Sequence, residues 1–223
     1  MTTLYHYPLC PFSRKIRLLL GEQKIGADLI VERYWENRKE FIKLNPSGEV
    51  PILIFDEVTF CGQYAITEYI EFKYDSILPQ DIKTKAENRR LIDWFDNKFY
   101  REVTKIIINE RVEKRFRSVE KGGGLPNTEL IRLAINTMNN HLKYMEYLLE
   151  RRFWLVTNKI ELADLTAASH ISCLDYLGDI PWEKFPEIKL WYSRIKSRPS
   201  FRSILTDKIV GIPPRGNYAL LDF

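Results

Sequence analysis

The chain has 223 residues, of which 45% are hydrophobic and 29% charged, a balance that supports a packed core and excludes a disordered chain. Its 34 Lys plus Arg against 30 Asp plus Glu leave a net charge of +4 spread along the sequence. Nucleic-acid binders concentrate positive charge in a stripe, so no nucleic-acid partner is expected.

The first 75 residues alternate strand and helix signals. Thr3–Tyr7 predicts a short aromatic strand. Pro11 then opens a helix that places Phe12, Ile16, Leu19 and Leu20 on one face. Ala27–Arg33 predicts a second strand, and Trp35–Leu44 a short helix closed by the turn cluster Asn45-Pro46-Ser47-Gly48. Pro51–Phe55 and Thr59–Phe60 flank Asp56-Glu57 as a hairpin, and Gln63–Phe72 predicts a third helix. The order β-α-β-α-β-β-α is that of a thioredoxin-like domain. Past a joint at residues 76–82, strand signals almost vanish. Lys83–Glu110, Asn127–Arg151, Glu161–Leu177 and Trp182–Ser197 all read as helices, and Pro199 opens a last short one. The expected organisation is α/β plus all-α: a thioredoxin-like domain over 1–75, a linker, an all-helical domain over 83–206 and an extended tail over 207–223.

The opening residues lack a basic-then-apolar leader, and no run reaches the ~18 apolar residues of a spanning helix, so no membrane partner is expected. Cys10, Cys61 and Cys173 are odd in number and widely spaced. They suit a reducing cytoplasm better than a disulfide framework, and no Cys-His spacing predicts a metal.

Cys10-Pro11-Phe12-Ser13 is the first motif with chemical content. A cysteine just before a helix meets unpaired N–H groups and the positive dipole end, which favour a thiolate. Ser13 is able to hold a nearby sulfur through its hydroxyl. Cys10 and Ser13 are therefore the candidate catalytic residues, against the plainer reading that Cys10 is a small residue at a tight turn. Glu49-Val50-Pro51 follows a turn. With a cis Val50–Pro51 bond, the Val50 backbone would pair with a peptide; a trans edge proline is the commoner alternative.

These motifs, together with Ala65-Ile66-x-x-Tyr69-Ile70 and Glu161-Leu162-Ala163-Asp164, resemble the glutathione S-transferase superfamily over essentially the whole chain. The resemblance implies a cis Pro51, a homodimer, and a glutathione site built from Phe12, Val50, Pro51, Gln63 and Tyr64. A narrower resemblance runs from Ala163 through Asp179, Trp191 through Arg202 and the tail. It is to an alphaproteobacterial transferase-like branch with members that bind the tubulin-like division protein FtsZ.

The sequence departs from the glutathione-using pattern where the third helix begins. An acidic residue followed by Ser or Thr is usual there, and this chain has Gln63 and Tyr64. Losing a charge-assisted hydrogen bond costs roughly 1.5–3 kcal/mol, so glutathione is expected to bind weakly or not at all. Two functions stay open. One is a dimeric binding protein of the FtsZ-binding, cell-division type. The other is a glutathione transferase or thiol reductase using Cys10 or Ser13. The tail, with Tyr218, Leu221 and Phe223, either presents an apolar hook to a partner or packs back on the helices. Asp164 is read as a structural cap.

Overall fold

The computed structural model describes residues 2–216 and 218–221. Four strands form one sheet: β1 (Thr3–His6), β2 (Asp28–Val31), β3 (Ile52–Phe55) and β4 (Val58–Cys61), in the order β2-β1-β3-β4. β1 pairs parallel with β2, which requires the crossover helix α1 (Pro11–Glu22), and antiparallel with β3. A tight turn with Asp56 and Glu57 at positive φ joins β3 to β4. The region predicted as one helix from Trp35 to Leu44 is two pieces: a 3-10 turn at Tyr34–Glu36 and α2 (Lys39–Leu44). Asn37, in the left-handed region at φ 52, separates them. α3 (Gln63–Lys73) follows β4 and packs on α1.

The remainder is helical. α4 (Ile82–Asp93) runs without interruption into a π-wound stretch, Trp94–Thr104. It continues through α5 (Lys105–Ile108), a second π turn at Asn109–Glu113 and α6 (Lys114–Phe116). After the glycine-rich loop come α7 (Thr128–Leu149), α8 (Leu162–Leu177), α9 (Pro186–Lys196) and α10 (Arg202–Leu205). Every residue of α8 is buried, so it forms the central post of the helical lobe. Asp164 secures its start: its carboxylate accepts from Glu161 N at 3.0 Å, Leu155 N at 3.0 Å and Trp191 Nε1 at 2.8 Å. Among the described residues, no helix is long and apolar enough to cross a membrane.

α1 binds the two lobes together. Fully buried Arg14 donates to Pro8 O at 2.6 Å in its own lobe and to Ser172 Oγ at 2.9 Å on α8. Arg17 grips both oxygens of Asp207, at 2.9 and 2.8 Å. Gly21 lets the helix come close: a Cβ there would lie 2.9 Å from Ser200 Cα, inside contact distance with backbone.

Tyr218 in the tail packs back on the helices. Tyr218 is 1% exposed, stacks edge-on against Tyr176 and donates its hydroxyl to Ile204 O at 3.1 Å. This corrects its assignment as a partner-facing residue: its ring is big and apolar enough to complete the core. Leu221 is exposed, and Phe223 lies outside the described residues.

Candidate functional site

A cleft of about 670 Å³ opens between the lobes. One wall is the start of α1 with the turns before β3 and α3: Cys10, Phe12, Glu49, Val50, Gly62, Gln63 and Tyr64. The other is the long helix, which contributes Asp96, Tyr100, Lys105, Asn109, Glu113 and Arg117. These residues are spaced by four or five. The i→i+5 winding of the π segments keeps such positions on one face.

Of the sequence-predicted residues, Cys10, Phe12, Val50, Gln63 and Tyr64 are brought together around this cleft. The Val50–Pro51 bond is cis, with Pro51 buried behind the lining. Ser13 sits one layer below the lining, next to Cys10. It is fully buried, and its Oγ accepts from Tyr7 N at 3.3 Å, closing the turn between β1 and α1. Its side chain lies beneath the lining rather than in it, and its hydroxyl also reaches the cleft-lining Cys10 sulfur, the contact expected of it.

Burial works against the expected Cys10 thiolate. Cys10 is the N-cap of α1 and its sulfur accepts from Ser13 N at 3.5 Å, as a thiolate-stabilising cap should. Yet the residue is 7% exposed, and burial outweighs those hydrogen bonds, pushing the thiol up to about 11. Its sulfur makes a long contact, at 3.9 Å, with the Val50 carbonyl.

Beneath Gln63 lies a buried polar network absent from the sequence reading. Lys15, 1% exposed, donates to Gln63 Oε1 at 2.8 Å and to Asp96 Oδ2 at 2.6 Å. Burial alone would raise the Asp96 carboxyl, but Lys15 and a hydrogen bond from His170 more than offset it and hold it below its usual value. His170 Nδ1 in turn meets Thr104 Oγ1 at 3.0 Å. Phe12 packs on Tyr100 at 4.5 Å between ring centroids and roofs this network. At the far end of the cleft Tyr34 donates to Glu113, which also pairs with Arg117. The polar stripe from Asp96 to Arg117 was the available sequence signal: charged and aromatic residues recurring every four or five positions within one helical run.

Tyr64 stands at the rim, 68% exposed, so the ring does not plug the cleft. The first N–H groups of α3 remain the natural anchor for an anionic group there. The cleft therefore has the room and the backbone for a γ-glutamyl peptide. It has Tyr64 in place of a small hydroxyl, and burial disfavours the ionised form of its Cys10 sulfur.

The comparisons agree with this architecture. A model of the glutathione S-transferase N-terminal domain matches residues 4–80, and one of the C-terminal domain matches residues 131–199. FtsZ-localized protein A of Caulobacter vibrioides is 41% identical, covering 99% of this chain and 98% of the relative. The crystal structure of a glutathione S-transferase from Sinorhizobium meliloti 1021 superposes with a TM-score of 0.96 at 40% identity, covering 100% of both chains. The structure of FzlA from C. crescentus gives 0.94 at 41% identity, covering 100% of this chain and 99% of that one. With both lobes matched in order and relatives of this identity along their full length, the chain belongs to the glutathione S-transferase family.

Proposed function

We propose that this protein is a binding protein of the cell-division type: a cytoplasmic homodimer that associates with FtsZ polymers and uses glutathione weakly or not at all. The observation that carries the reading is the 41% identity, end to end, with a relative named for its localisation to FtsZ. The chemistry of the cleft supports it. Burial disfavours a Cys10 thiolate, Ser13 is buried with its Oγ accepting from Tyr7 N, and the glutathione head would meet Tyr64 in place of a short donor. Phe72, 94% exposed on α3, supports a second copy covering that face. A dimer carries two copies of one binding surface, so each filament contact raises the effective concentration of the next.

The test pairs co-sedimentation with FtsZ polymers and calorimetric titration with glutathione. Co-sedimentation with absent or millimolar glutathione binding is expected. Tight glutathione binding with turnover of a chromogenic electrophile, and no co-sedimentation, overturns the reading. The openness of the cleft favours one second reading, a glutathione-dependent transferase or thiol reductase. That reading requires turnover to fall sharply in Cys10→Ala or Ser13→Ala. The Tyr64→Ser variant restores a short donor and should tighten glutathione binding about tenfold to a hundredfold.

A further inference from the structure

On the side of the long helix opposite the cleft lies a second groove, of about 730 Å³. Its floor is apolar: Ile131 and Ile135 of α7, Leu177 at the end of α8, and Ile212 of the tail. Leu125, 91% exposed, stands at its lip. Four arginines rim it, and each rises from a different place: Arg111, Arg115 on α6, Arg132 on α7 and Arg215 in the tail. Arg111 is committed to Asp179 at 2.8 Å. Arg115 and Arg132 are exposed and form no ion pair among the described residues, while exposed Arg215 adds its charge to that of Arg111 beside Asp179.

The tail wall is built, not draped. Arg215 N donates to Tyr176 O at 3.0 Å, and Tyr176 donates its hydroxyl to Ile212 O at 2.7 Å. Gly178 makes room for this: it lies at φ +75, and a Cβ there would come within 3.1 Å of Arg215 Cβ. Buried Tyr218 pins the segment from beyond. Ile212 and Arg215 are the tail residues that line the groove.

We infer that this groove is a docking site for an acidic peptide segment with apolar anchor residues, separate from the cleft. Charge complementarity selects the occupant. The free guanidiniums of Arg115 and Arg132, with Arg215 beside Asp179, stand on three separate elements around an apolar strip. They match a ligand carrying several carboxylates around apolar side chains, whereas a single phosphate would need them to converge on one point. The apolar floor supplies burial for leucine-like anchors. The groove is open along its length, as an extended or helical segment requires. The inference does not depend on FtsZ being a partner, and its test contains none.

The test is fluorescence anisotropy of a fluorescein-labelled peptide of glutamate and leucine titrated with the full-length protein. A glutamate–serine peptide, a lysine–leucine peptide and phosphatidylglycerol vesicles are run alongside. Saturable, salt-weakened binding of the glutamate–leucine peptide is expected. It should weaken at least about tenfold in the Arg115→Glu/Arg132→Glu variant, whose substitutions are on exposed positions. Ile135→Ser, made separately and checked by thermal melting, should weaken it by removing floor. Equal binding by the charge-reversed protein overturns the inference. So does equal affinity for the glutamate–serine peptide, or binding to vesicles without binding to peptide.

Discussion

The two sides of one helical segment carry opposite electrostatic designs. Asn109, Glu113 and Arg117 face the cleft; Arg111 and Arg115, two residues out of step, face the groove. On the cleft side carboxylates stand among the cations. Arg117 pairs with Glu113, and Lys15 pairs with Asp96 below the surface. On the groove side Arg111 and Arg215 share one carboxylate, Asp179, and Arg115 and Arg132 are exposed without a pair among the described residues. Similar residue types thus give a pocket of mixed charge on one side and a positive field on the other. Pairing sets what a surface attracts, more than the count of charges does.

The largest expected effect comes from breaking the ion pair beneath the cleft. Asp96→Asn leaves the Lys15 ammonium buried without its counterion, and should cost about 3–5 kcal/mol, read as a fall in melting temperature. The double variant Lys15→Met/Asp96→Leu removes both charges and should recover most of that loss. If the single variant melts like the parent, the buried pair does not govern the cleft.

A smaller effect tests the groove wall. Gly178→Ala forces an alanine into the left-handed region against Arg215 and should cost about 1–2 kcal/mol. Because Arg215 must shift, acidic-peptide affinity should fall with it; a stability loss with unchanged affinity would detach the tail from the groove. Tyr34→Phe removes the donor to Glu113 and should cost about 1 kcal/mol by chemical denaturation, with no effect on the groove.

The last prediction concerns the floor of the cleft. With the Cys10 thiol pushed up to about 11, its thiolate fraction is minute at pH 7 and grows about tenfold with each pH unit until that value. Alkylation of Cys10 by iodoacetamide, followed by mass spectrometry, should therefore rise steadily from pH 7 to 10 without a plateau. A plateau near pH 7 would show an activated thiolate and reopen the enzymatic reading.

Much of the fold was legible in the sequence because its signals are local. Pro11 starts α1, the Asn45–Gly48 cluster ends α2, and the apolar periodicity of residues 130–149 marks α7. The site was legible only where backbone position decides the outcome, as at Cys10, Val50 and Gln63. The rest is tertiary. Cys10 carries the right capping geometry, but its burial comes from residues distant in sequence. Ser13 could face either way until the Tyr7 amide claimed its oxygen. Tyr218 looks exposed in a Pro-Gly-rich tail, and only the hollow beside Tyr176 and Ile204 explains its burial. Lys15 and Asp96 are 81 residues apart, beyond any pattern read along the chain.

α1 carries a consequence for how the molecule comes apart. Its arginines hold Ser172 and Asp207, and Glu22 near its end accepts from Arg198 at 2.7 Å, so one short rod is riveted to both halves of the chain. Pulling the halves apart would strand several ions at once in a greasy seam. Denaturation should therefore proceed as one sharp transition, and the first 75 residues expressed alone should form no stable domain.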